Sequence, residues 1–286
     1  MSRRAVSLVP SITETLLAWG VVPVGVTRFC ETEGIALVGG TKNPDIEAIK
    51  ALAPDVVLMD EEENRAPDAA RLAAEGIPVV ATAVRSVGDV GPALGVLADA
   101  VGVADPATDR EGPPQNWPGT GLPNESGTAL RAGSGTALGA GSGTALGAGS
   151  GTALGAGSGT ALRAGSGTAS SGALLRVFVP IWRRPWMTVS GATYGSSLLR
   201  AAGFENIFAD AADPYPTVEL DEVARRRPDL VLAPSEPYAF AERHRRELEQ
   251  VGPVAFVDGR DLFWWGSRTA GALGRLREMA NELGVG

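Results

Sequence analysis

The sequence predicts an α/β protein built from two similar Rossmann-like lobes, each with a mainly parallel sheet. Two observations support this fold class. Short apolar runs alternate with amphipathic stretches on both sides of a glycine-rich middle segment, and a pattern in the first half returns in the second. We expect a first lobe over residues 1–104, a connection over 105–174 and a second lobe over 175–286.

Buried apolar runs in the first lobe predict four strands, and periodic stretches predict four helices. The strands are Ala5–Val9, Val22–Val26, Asp55–Met59 and Pro78–Ala81, and the helices are Ile12–Trp19, Ile46–Leu52, Ala66–Ala74 and Val87–Val101. Ser11 followed by Glu14 predicts a capping box on the first helix. Asn43 and Pro44 predict the N-cap and first turn of the second helix.

The second lobe shows the same alternation. Its predicted strands are Val177–Ile181, Leu230–Leu232 and Val254–Val257, and its predicted helices lie near Ser196–Ala202, Val218–Arg226, Ala239–Gln250 and Thr269–Leu283. Residues 46–58 resemble residues 220–232, with one Pro-Asp pair over another, and the same offset places Glu62 over Glu236. Two similar lobes imply a cleft between them.

The middle segment is of low complexity. From Ser126 the unit Ser-Gly-Thr-Ala-Leu-Arg-Ala-Gly recurs, with glycine in place of arginine in its central copies. One leucine in eight residues fits neither the helical nor the strand period, and glycine raises the entropic cost of ordering. We therefore expect a flexible linker rather than a structural repeat.

Composition excludes several functions. The net charge of −8 argues against general nucleic-acid binding, and no apolar run reaches the roughly 18 residues that cross a bilayer. No secretory signal follows Met1, so we expect a cytoplasmic protein as sequenced. With one cysteine and one histidine, the chain can form neither an internal disulfide nor a histidine-based metal site, so any metal must arrive inside a chelate.

The single Cys30 has three interpretations: a small buried residue, a nucleophile, or an axial ligand to a chelated metal. His244 lies in a polar stretch, and we expect it to be a solvated surface residue. No nucleotide-binding loop, nucleophile elbow or acid pair of recognisable spacing is present, so the sequence offers no catalytic constellation.

The segments that follow the strands are rich in aromatic and charged residues. Ligands of open α/β sheets bind beyond the carboxyl ends of the strands, so these segments are candidates for a binding site. The aromatic members are Trp182, Trp186, Tyr238, Trp264 and Trp265. We expect them to form one wall of the cleft, suited to a large flat ligand; the alternative is that individual tryptophans belong to the core.

The run from Arg4 to Glu14, the Val38-Gly39-Gly40 turn and the duplicated Pro-Asp segment resemble the class III periplasmic-binding fold. This family contains the vitamin B12 and iron-siderophore binding proteins of ABC importers, and the nearest branch is similar to the cobalamin-binding protein, a helical backbone metal receptor. The resemblance covers residues 3–104 and 175–284.

The resemblance implies a ligand held between the lobes. Carried over by position, the ligand-binding residues are Cys30, Glu31, Glu62, Asn64, Arg65, Trp182, Arg183, Trp186, Tyr194, Tyr238, Trp264, Trp265 and Arg268. Family members dock to a permease through one acidic residue on each lobe, and Glu62 and Glu236 are related by the internal repeat. Whether these two glutamates face a partner or the ligand stays open at this point.

Two features depart from the family pattern. The family is normally exported, and its lobes are joined by a long rigid helix, whereas here the predicted helix Val87–Val101 runs into the low-complexity insert. We expect a monomeric, non-enzymatic solute-binding protein for a corrinoid or other chelated-metal compound, with no covalent cofactor and with an ABC permease as partner if it is exported. The rival hypothesis is a cytosolic cofactor-handling enzyme or metallochaperone that uses Cys30.

Overall fold

The computed structural model describes residues 3–103 and 174–283. The eight-residue repeat and nearly all of the predicted connection lie outside these ranges, so the division of the chain into three regions stays a prediction. Within the described ranges, no helix is long and apolar enough to cross a membrane.

The first lobe is a five-stranded parallel sheet with helices packed on it. Its strands are β1 (Ala5–Ser7), β2 (Gly25–Val26), β3 (Ala36–Leu37), β4 (Gly39–Gly40), β5 (Asn43–Pro44), β6 (Val56–Asp60) and β7 (Val79–Thr82), and its helices are α1 (Pro10–Ala18), α2 (Ile46–Ala51), α3 (Ala66–Ala74) and α4 (Val87–Val101). The sheet order is β3-β2-β1-β6-β7, and β4 and β5 form a separate antiparallel pair. Strands β1 and β6 are buried neighbours in the inner part of the sheet. Because the strands are parallel, the carboxyl ends of both lie near the middle of one sheet edge.

The second lobe has two sheets. Its strands are β8 (Leu175–Phe178), β9 (Pro180–Trp182), β10 (Trp186–Thr188), β11 (Phe204–Asn206), β12 (Thr217–Val218), β13 (Leu230–Pro234) and β14 (Val254–Val257), and its helices are α5 (Tyr194–Ala201), α6 (Leu220–Arg226), α7 (Arg245–Leu248), α8 (Gly259–Phe263) and α9 (Thr269–Glu282). Strands in the order β11-β8-β13-β14 are parallel, and β12-β10-β9 form a small antiparallel sheet. The predicted α/β fold with mainly parallel sheets is confirmed.

The internal repeat is visible in the hydrogen bonds at the first strand of each lobe. Asp55 accepts from the backbone N–H of Arg4 at 2.7 Å, and its own N–H donates to the Arg4 carbonyl at 2.8 Å. Asp229 makes the same pair with Arg176, at 2.9 and 2.7 Å. The duplicated Pro-Asp motif therefore ties the start of the central strand to the start of its neighbour in both lobes.

One hydrophobic cluster joins the lobes. It contains α1 and α4 residues such as Ile12 and Leu97 together with second-lobe residues such as Leu198 and Phe204. The backbone N–H of Val87 also donates to the Ser197 hydroxyl at 3.1 Å. The two lobes are thus packed against each other through apolar surface, the largest favourable contribution to such contacts.

Three local predictions are wrong. Pro10 occupies the first turn of α1, so the helix begins before Ser11 and has no side-chain cap. Asn43 and Pro44 pair as β5, and the N-cap of α2 is Asp45, which accepts from the Ala48 N–H at 3.0 Å. The predicted helix 239–250 is instead a 3₁₀ turn at Glu242–His244 followed by α7, because the Phe240 N–H bonds to the Pro234 carbonyl at the end of β13. In addition, the small antiparallel sheet and α8 were not predicted from the sequence.

Candidate functional site

A cleft of about 540 Å³ is lined by strand-end loops of both lobes. The lining residues of the first lobe are Pro10, Phe29, Thr41, Lys42, Glu62 and Glu63. Those of the second lobe are Ile181, Val189, Thr193, Tyr194, Gly195, Tyr215, Glu236, Pro237, Phe263 and Trp264. Aromatic rings and carboxylates dominate this set, and its volume is typical of small-molecule sites.

The first-lobe side of the cleft is organised by Asp60 at the end of β6. Its Oδ1 accepts from the Glu62 N–H at 3.0 Å, and its Oδ2 accepts from the Thr82 hydroxyl at 2.7 Å. Asn64 completes the loop: its Nδ2 donates to the Thr41 carbonyl at 2.9 Å, and its Oδ1 accepts from the Asp60 N–H at 2.9 Å. These buried bonds fix the backbone that presents Glu62 to the cleft.

The second-lobe side is held by close backbone packing. Glu236 follows β13, and its backbone lies so near Gly259 that a Cβ there would come within 2.5 Å of the Glu236 carbonyl oxygen. The Ser235 hydroxyl accepts from the Gly259 N–H at 3.0 Å. Burial raises the pKa of Glu236, and its Oε1 is buried without a hydrogen-bond partner among the residues that the structure describes.

Polar contacts connect the two lobes around the cleft. The Tyr215 hydroxyl donates to Glu62 Oε2 at 3.0 Å, and Arg260 pairs with Glu31 at 2.9 Å. Burial and the nearby Glu62 carboxylate raise the pKa of Tyr215. These two contacts tie first-lobe loops to the second lobe beside the cleft.

A second set of cross-lobe contacts lies where α1 meets α9. Arg268 donates to both carboxylate oxygens of Glu14 at 2.7 Å, and it also pairs with Asp261 at 2.8 Å. The Ser267 N–H donates to the Thr15 hydroxyl at 3.1 Å. A bidentate pair of this kind fixes orientation as well as distance.

Four of the residues singled out from the sequence line the cleft: Glu62, Tyr194, Trp264 and Glu236. Tyr194 is buried, its hydroxyl lies 3.0 Å from the Thr269 hydroxyl, and burial raises its pKa to about 12. Glu31 and Arg268 do not line the cleft but belong to the cross-lobe ion pairs. The remaining predicted residues lie elsewhere.

The five aromatic residues that were expected to form one wall of the cleft lie at different sites. Trp186 stacks on Phe240 in the second-lobe core, and Trp265 is buried in the cluster shared by the lobes, so for both the core alternative is the one the structure shows. Trp182 is 45% exposed and packs edge-on against Tyr238. The adjacent Arg183 pairs with Glu247 at 2.8 Å. Neither of these two pairs lines the cleft.

The other predicted residues have structural contacts. The Cys30 sulfur is buried, 3.2 and 3.4 Å from the hydroxyls of Thr13 and Thr27. Asn64 is buried in the loop network described above, and Arg65 pairs with Asp68 at the start of α3. Among the described residues, no three His, Cys, Asp or Glu side chains are placed to hold a metal ion.

The expectation for His244 is wrong. The residue is 6% exposed, its Nδ1 accepts from the Ala241 N–H at 3.1 Å, and its ring packs against Tyr238 and Phe240. Burial lowers its pKa. The histidine is therefore a neutral member of the second-lobe core at physiological pH.

Phe29, Lys42 and Tyr215 are among the cleft residues that were not selected from the sequence. Phe29 is half exposed after β2, Lys42 precedes β5, and Tyr215 lies in the irregular stretch between β11 and β12. Phe29 stands in a strand-end segment that the sequence had marked. The signal for Tyr215 is weaker: a tyrosine between two prolines in a loop, where a fixed aromatic side chain has a low entropic cost of binding.

We expect Asp60 to make the stability of the protein depend on pH. Burial raises its pKa to about 6, although the Thr82 hydroxyl and the Glu62 N–H oppose the shift and Glu62 and Glu63 add to it. Because the folded-state pKa lies above the unfolded value, this group favours folding below about pH 4 and loses that contribution as the pH rises through about 6.

Asp60→Asn removes this titration. Urea unfolding should show the variant gaining about 2 kcal/mol relative to the wild type between about pH 4 and pH 7, somewhat less than the roughly 3 kcal/mol of the full pKa shift because the unfolded-state carboxyl is already partly ionised at pH 4. A difference between the two proteins that is independent of pH would contradict the assignment.

Comparison with known proteins agrees with this geometry. Residues 6–109 match a family model described as periplasmic binding protein. The vitamin B12-binding protein of Pectobacterium carotovorum subsp. carotovorum (strain PC1) is 31% identical over 93 residues, 32% of this chain and 34% of that protein. The vitamin B12-binding protein of Salmonella paratyphi A (strain ATCC 9150 / SARB42) is 25% identical over 233 residues, 80% of this chain and 71% of that protein. The matches to the two Pectobacterium relatives span about a third of their length or less.

Solved structures share the fold along nearly the whole chain. The periplasmic vitamin B12 binding protein BtuF of Vibrio cholerae superposes with a TM-score of 0.66 at 16% identity, covering 98% of this chain and 97% of that one. A periplasmic heme binding protein from Pseudomonas aeruginosa gives 0.68 at 17% identity, covering 100% and 95%. The resemblance to the class III periplasmic-binding fold is therefore confirmed, and these neighbours are solute-binding proteins.

Proposed function

We propose that the protein is a non-enzymatic solute-binding protein that holds a corrinoid or another chelated-metal compound in the cleft between its lobes. The observation that carries the proposal is the cleft itself, a space of about 540 Å³ with aromatic rings from both lobes, among them Phe29 and Trp264. Flat aromatic faces bury a large apolar area with few rotatable bonds, as a planar chelate requires.

The relatives support the same ligand class. Curated relatives are named as vitamin B12-binding proteins, and solved neighbours are described as binding vitamin B12 or heme. All three comparisons lead to proteins that bind a small solute. By analogy we propose an ABC permease as partner.

The alternative function through Cys30 has less support. A nucleophilic or metal-transferring thiol has to reach its substrate, whereas the Cys30 sulfur is buried between two threonine hydroxyls. It is also absent from the cleft lining. We propose that Cys30 packs the loop after β2.

The two repeat-related glutamates are proposed to face the ligand. Glu62 and Glu236 both line the cleft, one from each lobe. Their equivalent positions after β6 and β13 explain why the repeat relates them. A permease would then dock through other residues of the loop surface.

The experiment is a titration of the full chain with cyanocobalamin, followed by quenching of tryptophan fluorescence. We expect saturable quenching in the wild type. Trp264→Ala should raise Kd by about thirtyfold, since a buried aromatic contact at a binding site contributes about 2 kcal/mol. Calorimetric titration gives the same Kd independently of the tryptophan that was removed.

Trp182→Ala is the matched control. Its ring is 45% exposed but lies outside the cleft lining, so Kd should stay within about twofold of the wild type. If Trp182→Ala weakens binding more than Trp264→Ala does, the ligand occupies a different surface. If neither cyanocobalamin nor haemin binds, the proposed ligand class is wrong.

A further inference from the structure

We propose that the cleft selects chelates by charge: it accepts a rim of neutral amide or cationic groups and rejects a rim that carries carboxylates. This inference rests on the proposed function and makes Glu236 and Glu62 its specificity-determining residues. It separates the two ligands that the related proteins bind, because a corrinoid carries peripheral carboxamides whereas haem carries two propionates.

The charged groups of the lining are mostly carboxylates. Glu62, Glu63 and Glu236 stand against a single ammonium group, that of Lys42. The Lys42 Nζ already donates to the Glu62 carbonyl oxygen. An anionic ligand group would therefore meet unfavourable potential from both lobes, and like charges brought together in a partly desolvated site are strongly disfavoured.

The two arginines beside the Trp264 ring are already paired with carboxylates. Arg260 and Arg268 lie 6.0 and 5.5 Å from the Trp264 ring. Arg260 pairs with Asp258 and Glu31, and Arg268 pairs with Glu14 and Asp261. Within the described ranges, both guanidinium groups thus already have carboxylate partners. Neither is free to bind a propionate.

Glu236 provides the group that a donor would satisfy. Its Oε1 is buried and has no hydrogen-bond partner within the described part of the chain, an arrangement that is rare unless a ligand or solvent completes it. A carboxamide N–H donates a hydrogen bond to such an oxygen, whereas a carboxylate offers only acceptors. The orphaned oxygen therefore fits an amide rim.

The cleft also offers little to the iron of haem. Haem iron is held by histidine, cysteine, methionine or a tyrosine phenolate. Of these residue types, the lining contains only Tyr194 and Tyr215. Burial raises the pKa of both, and Glu62 raises that of Tyr215 further, so the phenolate form is disfavoured at both positions. A corrinoid that brings its own axial ligands needs no such residue.

The test compares cyanocobalamin with its monocarboxylic acids, in which one peripheral amide is replaced by a carboxylate, and with haemin. Kd is measured by calorimetry on the full chain near neutral pH. We expect at least one monocarboxylic isomer to bind about tenfold more weakly than cyanocobalamin, and haemin to bind more weakly than cyanocobalamin. Glu236→Gln should restore most of the affinity for the disfavoured isomer, because the amide side chain has no charge.

Glu205→Gln serves as the matched control, since it removes one exposed carboxylate of the second lobe on the edge strand β11, outside the cleft lining. It should leave the discrimination unchanged. Equal Kd for every isomer within about twofold, or tighter binding of haemin, overturns the charge selection while the proposed function stands. If no chelate binds at all, the proposed function and the charge selection are both wrong.

Discussion

Replacing Gly266 with alanine should lower the free energy of unfolding by about 3 kcal/mol or more and abolish cyanocobalamin binding. Gly266 has a φ of 128°, which disfavours any residue with a Cβ, and a Cβ at this position would lie 2.2 Å from the Thr15 hydroxyl oxygen. Backbone strain and a steric clash between the lobes therefore coincide. Urea unfolding and calorimetric titration measure the two effects.

Gly203→Ala is the control for strain alone. Its φ is 100°, but a Cβ there would approach only the Ala280 Cβ, at an ordinary 3.7 Å. We expect a loss of about 1 to 2 kcal/mol with binding retained. Adding Thr15→Ala to Gly266→Ala should recover part of the stability, and a double variant no more stable than Gly266→Ala would show that the clash is not the cause.

Asp261→Asn is expected to lower the free energy of unfolding by about 3 kcal/mol. Asp261 is buried, and its carboxylate receives Arg268 at 2.8 Å and Arg275 at 2.6 and 2.7 Å. The amide carries no charge and can accept through one oxygen only, so at least one of these hydrogen bonds is lost and both guanidinium groups lose a charged partner. Because Arg268 also holds Glu14 of α1, the loss should extend to the junction of the lobes.

The control for this ion pair is Glu242→Gln. Glu242 pairs with Arg245 at 2.5 Å, but its side chain is 73% exposed. A pair in solvent contributes little, so we expect a much smaller change than that caused by Asp261→Asn. Urea unfolding of both variants in low and high salt measures the contrast. Equal losses from Asp261→Asn and Glu242→Gln would mean that burial does not govern these pairs.

The sequence predicted the fold correctly where a sequence motif corresponds to a fixed position in the sheet. The Pro-Asp motifs at Asp55 and Asp229 precede the equivalent strands β6 and β13. In each lobe the aspartate makes the same hydrogen bond to the backbone of the neighbouring strand, so the sequence repeat corresponds to a repeated structure. The prediction was wrong where a tertiary contact overrides the local helical spacing of apolar residues. Buried residues at positions 240, 244 and 248 have helical spacing, yet the Phe240 N–H bonds back to the strand end, and the predicted helix is reduced to a 3₁₀ turn and the short α7.

The site was predicted only in part for a similar reason. Residue type and a position after a strand identify Trp264 and Glu236, but they do not say to which side a ring turns. Trp186 begins a short antiparallel strand, and this turns its ring onto Phe240 instead of into the cleft. Tyr215 reaches the site from an irregular loop, which no periodicity marks.

The hydrophobic cluster shared by the lobes has an evolutionary consequence. Its members Ile12, Leu97, Leu198 and Phe204 come from both sides of positions 104–173, so the described residues themselves join the two lobes. Repetitive DNA gains and loses copies by slippage, and the entropic cost of closing a chain segment grows only slowly with its length. Close relatives of this protein should therefore differ in the number of eight-residue units while keeping the residues of the cleft.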